Sequence, residues 1–314
     1  MQRILKLLLQ KKEKMTQTEK YIWLIDTIYK AKKISLADIS QQWREYAGLN
    51  VDEKLHRATF NRWKDEIYLQ FGIMIACQRS DGYRYYIQNP EVIEENKLNK
   101  WMIDTLATGN LINSNISISH RILVNKIPSG NDYLKNIIDA LKGNARIEIT
   151  YRQFDRESHA FAIEPYCLKL FEQRWYVLAK NNRGEIKIYA LDRIRNIKML
   201  DEHFDLPKDF DAEEFFSPFY GVAIGYDIEP ERIVLRAYNV HRHYMASLPL
   251  HESQRMLEDM GEYADFELFV APTYDFIMKL LSFGTMIEVL QPVSLRKTMH
   301  GWVSDLHEMY KEKQ

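Results

Sequence analysis

Hydrophobic positions recur at helical spacing through the first part of the chain and at every second position through its middle. Residues 19–32 carry Ile22, Ile25, Ile28 and Tyr29 at helical spacing, with Thr18 as the expected N-cap. Ser35 opens a second helix that shows Leu36, Ile39 and Trp43 on one face and stops at Gly48. Residues 56–71 supply Phe60, Trp63, Ile67 and Phe71 for a buried side, and Arg57, Asn61, Arg62 and Lys64 fall largely outside that stripe. Two strands, IMIAC and YRYYI, follow around a turn at 79–82 whose Asp-Gly pair signals a hairpin. Three helices and a hairpin predict a winged helix over residues 1–90.

From 91 to 143 the period is again helical, with Trp101, Ile103, Leu106, Leu111 and Ile112, then Ile137, Ile138 and Leu141. A polar piece at 113–119 and Pro128-Ser129-Gly130-Asn131 interrupt it, so this stretch is expected to be a helical connector. The pattern then changes. Ile147, Ile149 and Tyr151 alternate with Glu148 and Thr150, the period of a half-buried strand. Residues 159–170, 174–180 and 185–191 continue as strands, the last two joined by the turn Asn181-Asn182-Arg183-Gly184. A turn centred on Asn182-Arg183 pairs Tyr176 with Tyr189 and Leu178 with Lys187 on one surface, and sends Trp175 and Val177 into a core. After residue 206, ERIVLRAY, ADFELFVA and MIEVLQP read as strands separated by helices at 241–246, 274–282 and 294–311, a β-α-β-α-β-α order that suggests a ferredoxin-like domain. The expected architecture is multidomain α+β: 1–90, 91–143, 144–205 and 206–314.

Composition narrows the class. At 314 residues with 46% hydrophobic and 28% charged content, two to four globular domains are expected, and no window approaches the roughly 18 apolar residues of a membrane span. The opening MQRILKLLLQKK is too short an apolar run for a signal peptide core and is expected to stay on the chain, with Met15 as an alternative start. The two cysteines, Cys77 and Cys167, support neither a disulfide framework nor a zinc site, and a cytoplasmic location is the default expectation. His241 and His243 lack an acidic or cysteine partner nearby and read as a surface pair. With no HExxH, GxSxG or phosphate-binding glycine loop, the expectation is a non-enzyme without cofactor or metal.

Charge is uneven along the chain. Residues 1–90 hold 16 Lys+Arg against 10 Asp+Glu, and the remainder 27 against 34. Such asymmetry points to a polyanion partner for the first part. In a winged helix the third helix enters the major groove and the wing touches phosphate, so Arg57, Thr59, Asn61 and Arg62 are the expected readers of double-stranded DNA. Arg79 and Arg84 on the wing, and the run Lys30, Lys32, Lys33, add phosphate contacts. Trp63, Tyr83, Tyr85 and Tyr86 read as packing residues.

The middle strands carry a resemblance. ITYR at 149–152, the strand centred on Pro165, the RWYVLA run with Trp175-Tyr176-Val177, and LDRI at 191–194 fall in the order and spacing of a WYL domain, which this stretch resembles. LLSFGTMIEVLQP resembles the C-terminal extension found after such domains, so the likeness runs from about residue 16 onward. It implies an SH3-like β-barrel that senses an anionic ligand, a nucleotide or single-stranded nucleic acid, in a homodimeric, DNA-binding transcriptional regulator without membrane attachment. Tyr151, Arg152, Tyr176, Lys187, Tyr189 and Arg193 are the ligand-binding residues this implies, with Arg156, His159 and Arg174 as weaker candidates. Two departures stand out. Lys187 replaces a usual arginine and Ala190 another, and a lysine cannot make the bidentate phosphate contact of an arginine. A second reading is an accessory nucleic-acid or nucleotide binder that acts on a protein partner such as a phage-defence effector.

Overall fold

The computed structural model describes residues 16–47, 55–114, 116–123, 130–152, 157–225 and 227–311. The opening run and Met15, Gly48, Pro128 and Arg156 lie outside them. The chain divides into two compact units, residues 1–125 and 126–314.

The first unit is built on α1 (Gln17–Ala31), which the Thr16 hydroxyl caps in a reciprocal box with Glu19. The expected Thr18 cap falls two residues late, because Glu19 sits three residues after Thr16. Short β1 (Ile34–Ser35) leads into α2 (Leu36–Ala47), where the Ser35 hydroxyl accepts the Asp38 amide at 3.1 Å. Then come α3 (Arg57–Phe71), β2 (Ile75–Gln78) and β3 (Arg84–Ile87), and the three strands pair antiparallel in the order β1-β3-β2. Ile22, Ile25, Ile28, Ile39, Phe60 and Ile67 are fully buried, and Trp43 meets Trp23 and Trp63 edge-on at 4.9 Å each. Gly72 ends α3 in the left-handed region at φ 68, as a glycine past a helix end does. After the short α4 (Glu91–Glu94), α5 (Lys97–Ser114) returns to this unit and its Asn110 amide donates to the Glu19 carbonyl.

The stretch 91–143 therefore does not behave as one piece. Its last helix, α6 (Leu134–Gly143), belongs to the second unit, where Ile137 and Ala140 are fully buried. Above it lies a five-stranded antiparallel sheet, β4 (Ala145–Tyr151), β5 (His159–Phe171), β6 (Arg174–Asn181), β7 (Ile186–Ala190) and β8 (Ile194–His203), in the order β7-β6-β5-β4-β8. One face, with Ile147, Ile149, Tyr151, Ile163, Val177 and Tyr189, packs on α6. The other, through Tyr166, Leu178 and Ile188, is covered by Phe204, Phe210, Phe215 and Phe216 from the segment that follows β8 and includes α7 (Ala212–Phe216).

The last part runs β9 (Glu231–Tyr238), α8 (His241–Ser247), β10 (Arg255–Asp259), β11 (Tyr263–Val270), α9 (Tyr274–Ser282), β12 (Ile287–Gln291) and α10 (Val293–Tyr310). The sheet order is β10-β11-β9-β12. The succession is thus βαββαβα rather than the three-strand alternation read from the sequence. β10 escaped that reading because all five of its residues are exposed, so it has no buried stripe. Met245, Phe276, Leu280 and Leu295 press the helices onto one face. Across the other face Arg236 forks onto Asp265, its direct partner in the register, with both contacts at 2.8 Å.

Candidate functional site

The β6–β7 turn decides which side chains meet. Asn181 captures the loop: its backbone amide donates to the Glu185 carbonyl at 2.9 Å and its side-chain oxygen accepts the amides of Arg183 and Glu185. Gly184 sits at φ 81 and donates to the Asn181 carbonyl at 3.0 Å. This three-residue loop with a left-handed glycine shifts the register by one from a two-residue turn. The observed partners are Tyr176 with Ala190, Val177 with Tyr189 and Ala179 with Lys187. A one-residue shift changes faces. Tyr176 is therefore on the opposite side of the sheet from Tyr189 and Lys187, and the single surface expected for the three does not form.

On the α6 side, Tyr151 and Tyr189 are buried and meet edge-on at 5.3 Å, and Phe161 packs 5.6 Å from Tyr189. Both tyrosines belong to the buried core between the sheet and α6. The Ala190 amide donates to the Tyr151 hydroxyl at 3.2 Å, and burial raises the Tyr151 pKa. The Arg193 guanidinium stands 5.0 Å from the Tyr151 ring centre and its Nε donates to the Arg152 carbonyl at 3.0 Å. The Arg152 amide donates to the Arg193 carbonyl at 3.0 Å, so one backbone bond and one side-chain bond join the two arginines. Asp192 is engaged by Arg174, and Glu164 by Arg146 with Lys180. Arg152 and Lys187 are exposed. Lys187 lies 2.6 Å from Glu185, whose carboxyl it holds below its usual range.

On the other face Tyr176 sits beside Arg174, whose guanidinium is 5.9 Å from the ring centre and donates to Asp192 at 2.6 Å. Opposite Tyr176 on β5 is Lys169. Its ammonium donates to the Gly221 carbonyl at 2.8 Å and lies 4.0 Å from the Phe216 ring centre. The Asp275 carboxylate nearby accepts the amides of Val222 and Ala223 at 2.7 and 2.6 Å. Lys169, Gly221 and Asp275 were not singled out in the sequence, where Lys169 hides in the apolar run CLKLF. Asp192 and Arg193 share the 3-10 turn Leu191–Arg193, so one short turn joins the two faces.

Burial pushes the Lys169 ammonium down to about 8. The unfolded chain keeps that proton to about pH 10.4, so between these values the unfolded state binds more protons and stability rises with pH. Relative to Lys169→Met, the urea midpoint of the unaltered chain is expected to climb from about pH 7 to about pH 9.5, and parallel midpoints would contradict the assignment. Cys167, two residues away on the same face, has its thiol pushed up to about 12 by burial, which makes it a poor nucleophile.

In the first unit Arg57, Asn61 and Arg62 are exposed on α3, Thr59 is half-buried at its flank, and Arg79 and Arg84 are exposed at the β2–β3 turn. The first turn of α3 has no acidic residue, and its N-cap His56 makes no side-chain cap. Tyr85 is buried against Phe60 at 4.6 Å, whereas Tyr83 is exposed.

The family model of the WYL domain matches residues 132–199. Residues 132–199 are a WYL domain. The matched residues begin ahead of the expected 144, with the 3-10 turn that leads into α6, and α6 closes the sheet's core. No curated protein matches the chain in sequence. Among solved structures it is similar to proteasome accessory factor B/C (PafBC) of Arthrobacter aurescens, with 17% identity, a TM-score of 0.33, and coverage of 90% of this chain and 45% of that one. It is also similar to a CRISPR Cas-related protein, with 11% identity, a TM-score of 0.38, and coverage of 95% and 87%. The chain thus spans less than half the length of the PafBC chain. Among the described residues no helix is long and apolar enough to cross a membrane, and no three His, Cys, Asp or Glu side chains cluster as metal ligands.

Proposed function

We propose that this WYL-domain protein is a homodimeric DNA-binding transcriptional regulator that acts by binding rather than catalysis, with an anionic effector modulating its hold on an operator. The carrying observation is the outward face of α3, where Arg57, Asn61 and Arg62 stand exposed over a buried stripe of Phe60, Trp63 and Ile67. Three helices and a three-stranded sheet, in which β2 and β3 form the hairpin and β1 precedes the second helix, fit a winged helix, with Arg79 and Arg84 at the wing tip for phosphate.

The effector reading rests on the Leu191–Arg193 turn. The Arg193 guanidinium is anchored on the Arg152 carbonyl and the Arg152 amide donates to the Arg193 carbonyl, which brings two arginines side by side as a phosphate or a phosphodiester would need. Where Ala190 leaves no cation opposite Tyr176, Arg174 supplies one on that same face. Lys187, on the side of Arg193, adds a point charge that must first release Glu185. The C-terminal βαββαβ succession fits a ferredoxin-like extension.

An electrophoretic shift of the protein's own upstream DNA tests the first half of this reading. A specific complex that weakens steeply with salt is expected, and affinity indifferent to salt would contradict it. A second reading, an accessory protein that uses its first unit on a protein partner, draws on a groove of about 450 Å³ lined by Tyr68, Leu69 and Met74 between α3 and β2.

A further inference from the structure

Helix α10 is packed over only part of its length. Leu295 is buried and Met299 packs against the C-terminal core, but from 300 to 311 every residue except Ser304 is exposed. That exposed part, about 16 Å of helix to Tyr310 at 1.5 Å per residue, is not polar. Trp302, Val303, Leu306, Met309 and Tyr310 are between 40 and 86% exposed. Positions 295, 299, 302, 306 and 309 alternate steps of four and three, the 3.5-residue repeat of a helix that pairs with another helix. The first two members of that seam meet the helix's own sheet. The last three are 40, 42 and 76% exposed, and Trp302 lies edge-on 6.4 Å from Tyr274.

We infer that this seam is the contact with a second copy of the chain, made by two antiparallel α10 helices crossing at Leu306. The exposed apolar positions stand at −4, −3, 0, +3 and +4 about Leu306, so the stripe reads the same in both directions, as a two-fold contact requires. Trp302 and Val303 of one copy come level with Tyr310 and Met309 of the other, and the two Leu306 side chains meet at the axis. The helix also ends where this arrangement needs it to. With Tyr310 beside Trp302 of the second copy, each helix stops before the turns at Leu295 and Met299 that the other copy's sheet already covers. A parallel pair would bring both sheets onto the same end of the seam. The two stripes, with Tyr274 at each rim, amount to roughly 1,200 Å² of burial, at the low end of stable interfaces.

The inference rests on the proposed reading only for the expectation of two copies, and names the surface they share. The test is the mass of the intact chain in solution by light scattering, with Leu306→Glu and, in a Cys77→Ser background, Leu306→Cys. The unaltered chain is expected to be a dimer, and Leu306→Glu to raise the concentration at which it dissociates at least tenfold with its unfolding midpoint intact. Leu306→Cys is expected to form a disulfide-linked dimer on mild oxidation, faster than Val303→Cys. A dimer that survives Leu306→Glu and fails to cross-link through position 306 overturns this surface and leaves the regulator reading standing. An unaltered chain that is monomeric at tens of micromolar overturns the two-copy expectation as well.

Discussion

Gly130→Ala is expected to lower the thermal unfolding midpoint of the second unit by roughly 5–15 °C, from a cost of about 2–4 kcal/mol. Gly130 sits at φ 77, where a side chain is strained, and an added Cβ would lie 2.5 Å from the Leu191 Cβ and 2.6 Å from the Asp192 amide nitrogen. The neighbours are the backbone and first side-chain atom of the turn Leu191–Arg193, which cannot swing aside as a long side chain does. Gly143, at the end of α6, is the control: a Cβ there meets nothing within 4 Å, and Gly143→Ala is expected to be neutral or stabilising by up to about 1 kcal/mol. Circular dichroism melts of the intact chain separate the two variants, and equal midpoints would contradict the packing at Gly130. Because that turn also carries Asp192 and Arg193, the same close approach ties the entry of α6 to the candidate effector site.

Arg57→Ala combined with Arg62→Ala is expected to weaken operator binding at least 30-fold, since one arginine at a base edge is worth about 1–3 kcal/mol. Both side chains are exposed on α3 and neither contributes to its buried stripe, so the first unit is expected to melt as before. If either arginine touches phosphate rather than base, the slope of log affinity on log salt should fall by about one for each phosphate left unneutralised. Shift assays across a salt series check both numbers. Retained DNA affinity together with failure to bind a protein partner would transfer the first unit to the accessory reading.

Much of this was written in the hydrophobic pattern. The three early helices, the hairpin and the alternating strands each leave a buried stripe of fixed period, and Trp175 with Val177 faced the core as expected. The candidate site was less legible, because its makeup depends on a single residue of register. The alternation in KIYA reads equally well in either register. The choice was made by the Asn181 side chain, which accepts two loop amides and so fixes a three-residue turn. That bond moved Tyr189 into the core and Tyr176 to the far face. Lys169 was hidden for the opposite reason, since a lysine in an apolar strand shows neither a motif nor a charge cluster. Its partners, the Gly221 carbonyl and the Phe216 ring, come from a segment about fifty residues later. β10 had no buried residue to mark it, and the Thr16 cap was distinguishable from Thr18 only by the reciprocal bond from Glu19.

The central claim is that the WYL turn at Leu191–Arg193 reports an anionic ligand to the DNA-binding unit. Fluorescence anisotropy of labelled upstream DNA, bound to the intact protein at about 0.1 M salt and titrated with a short single-stranded oligonucleotide that lacks the operator sequence, tests it most directly. The account predicts a saturable change in operator affinity of at least several-fold that Arg193→Ala abolishes while its affinity without oligonucleotide stays within a few-fold of the unaltered chain. An operator affinity unmoved by saturating oligonucleotide, or moved equally in Arg193→Ala, would contradict it.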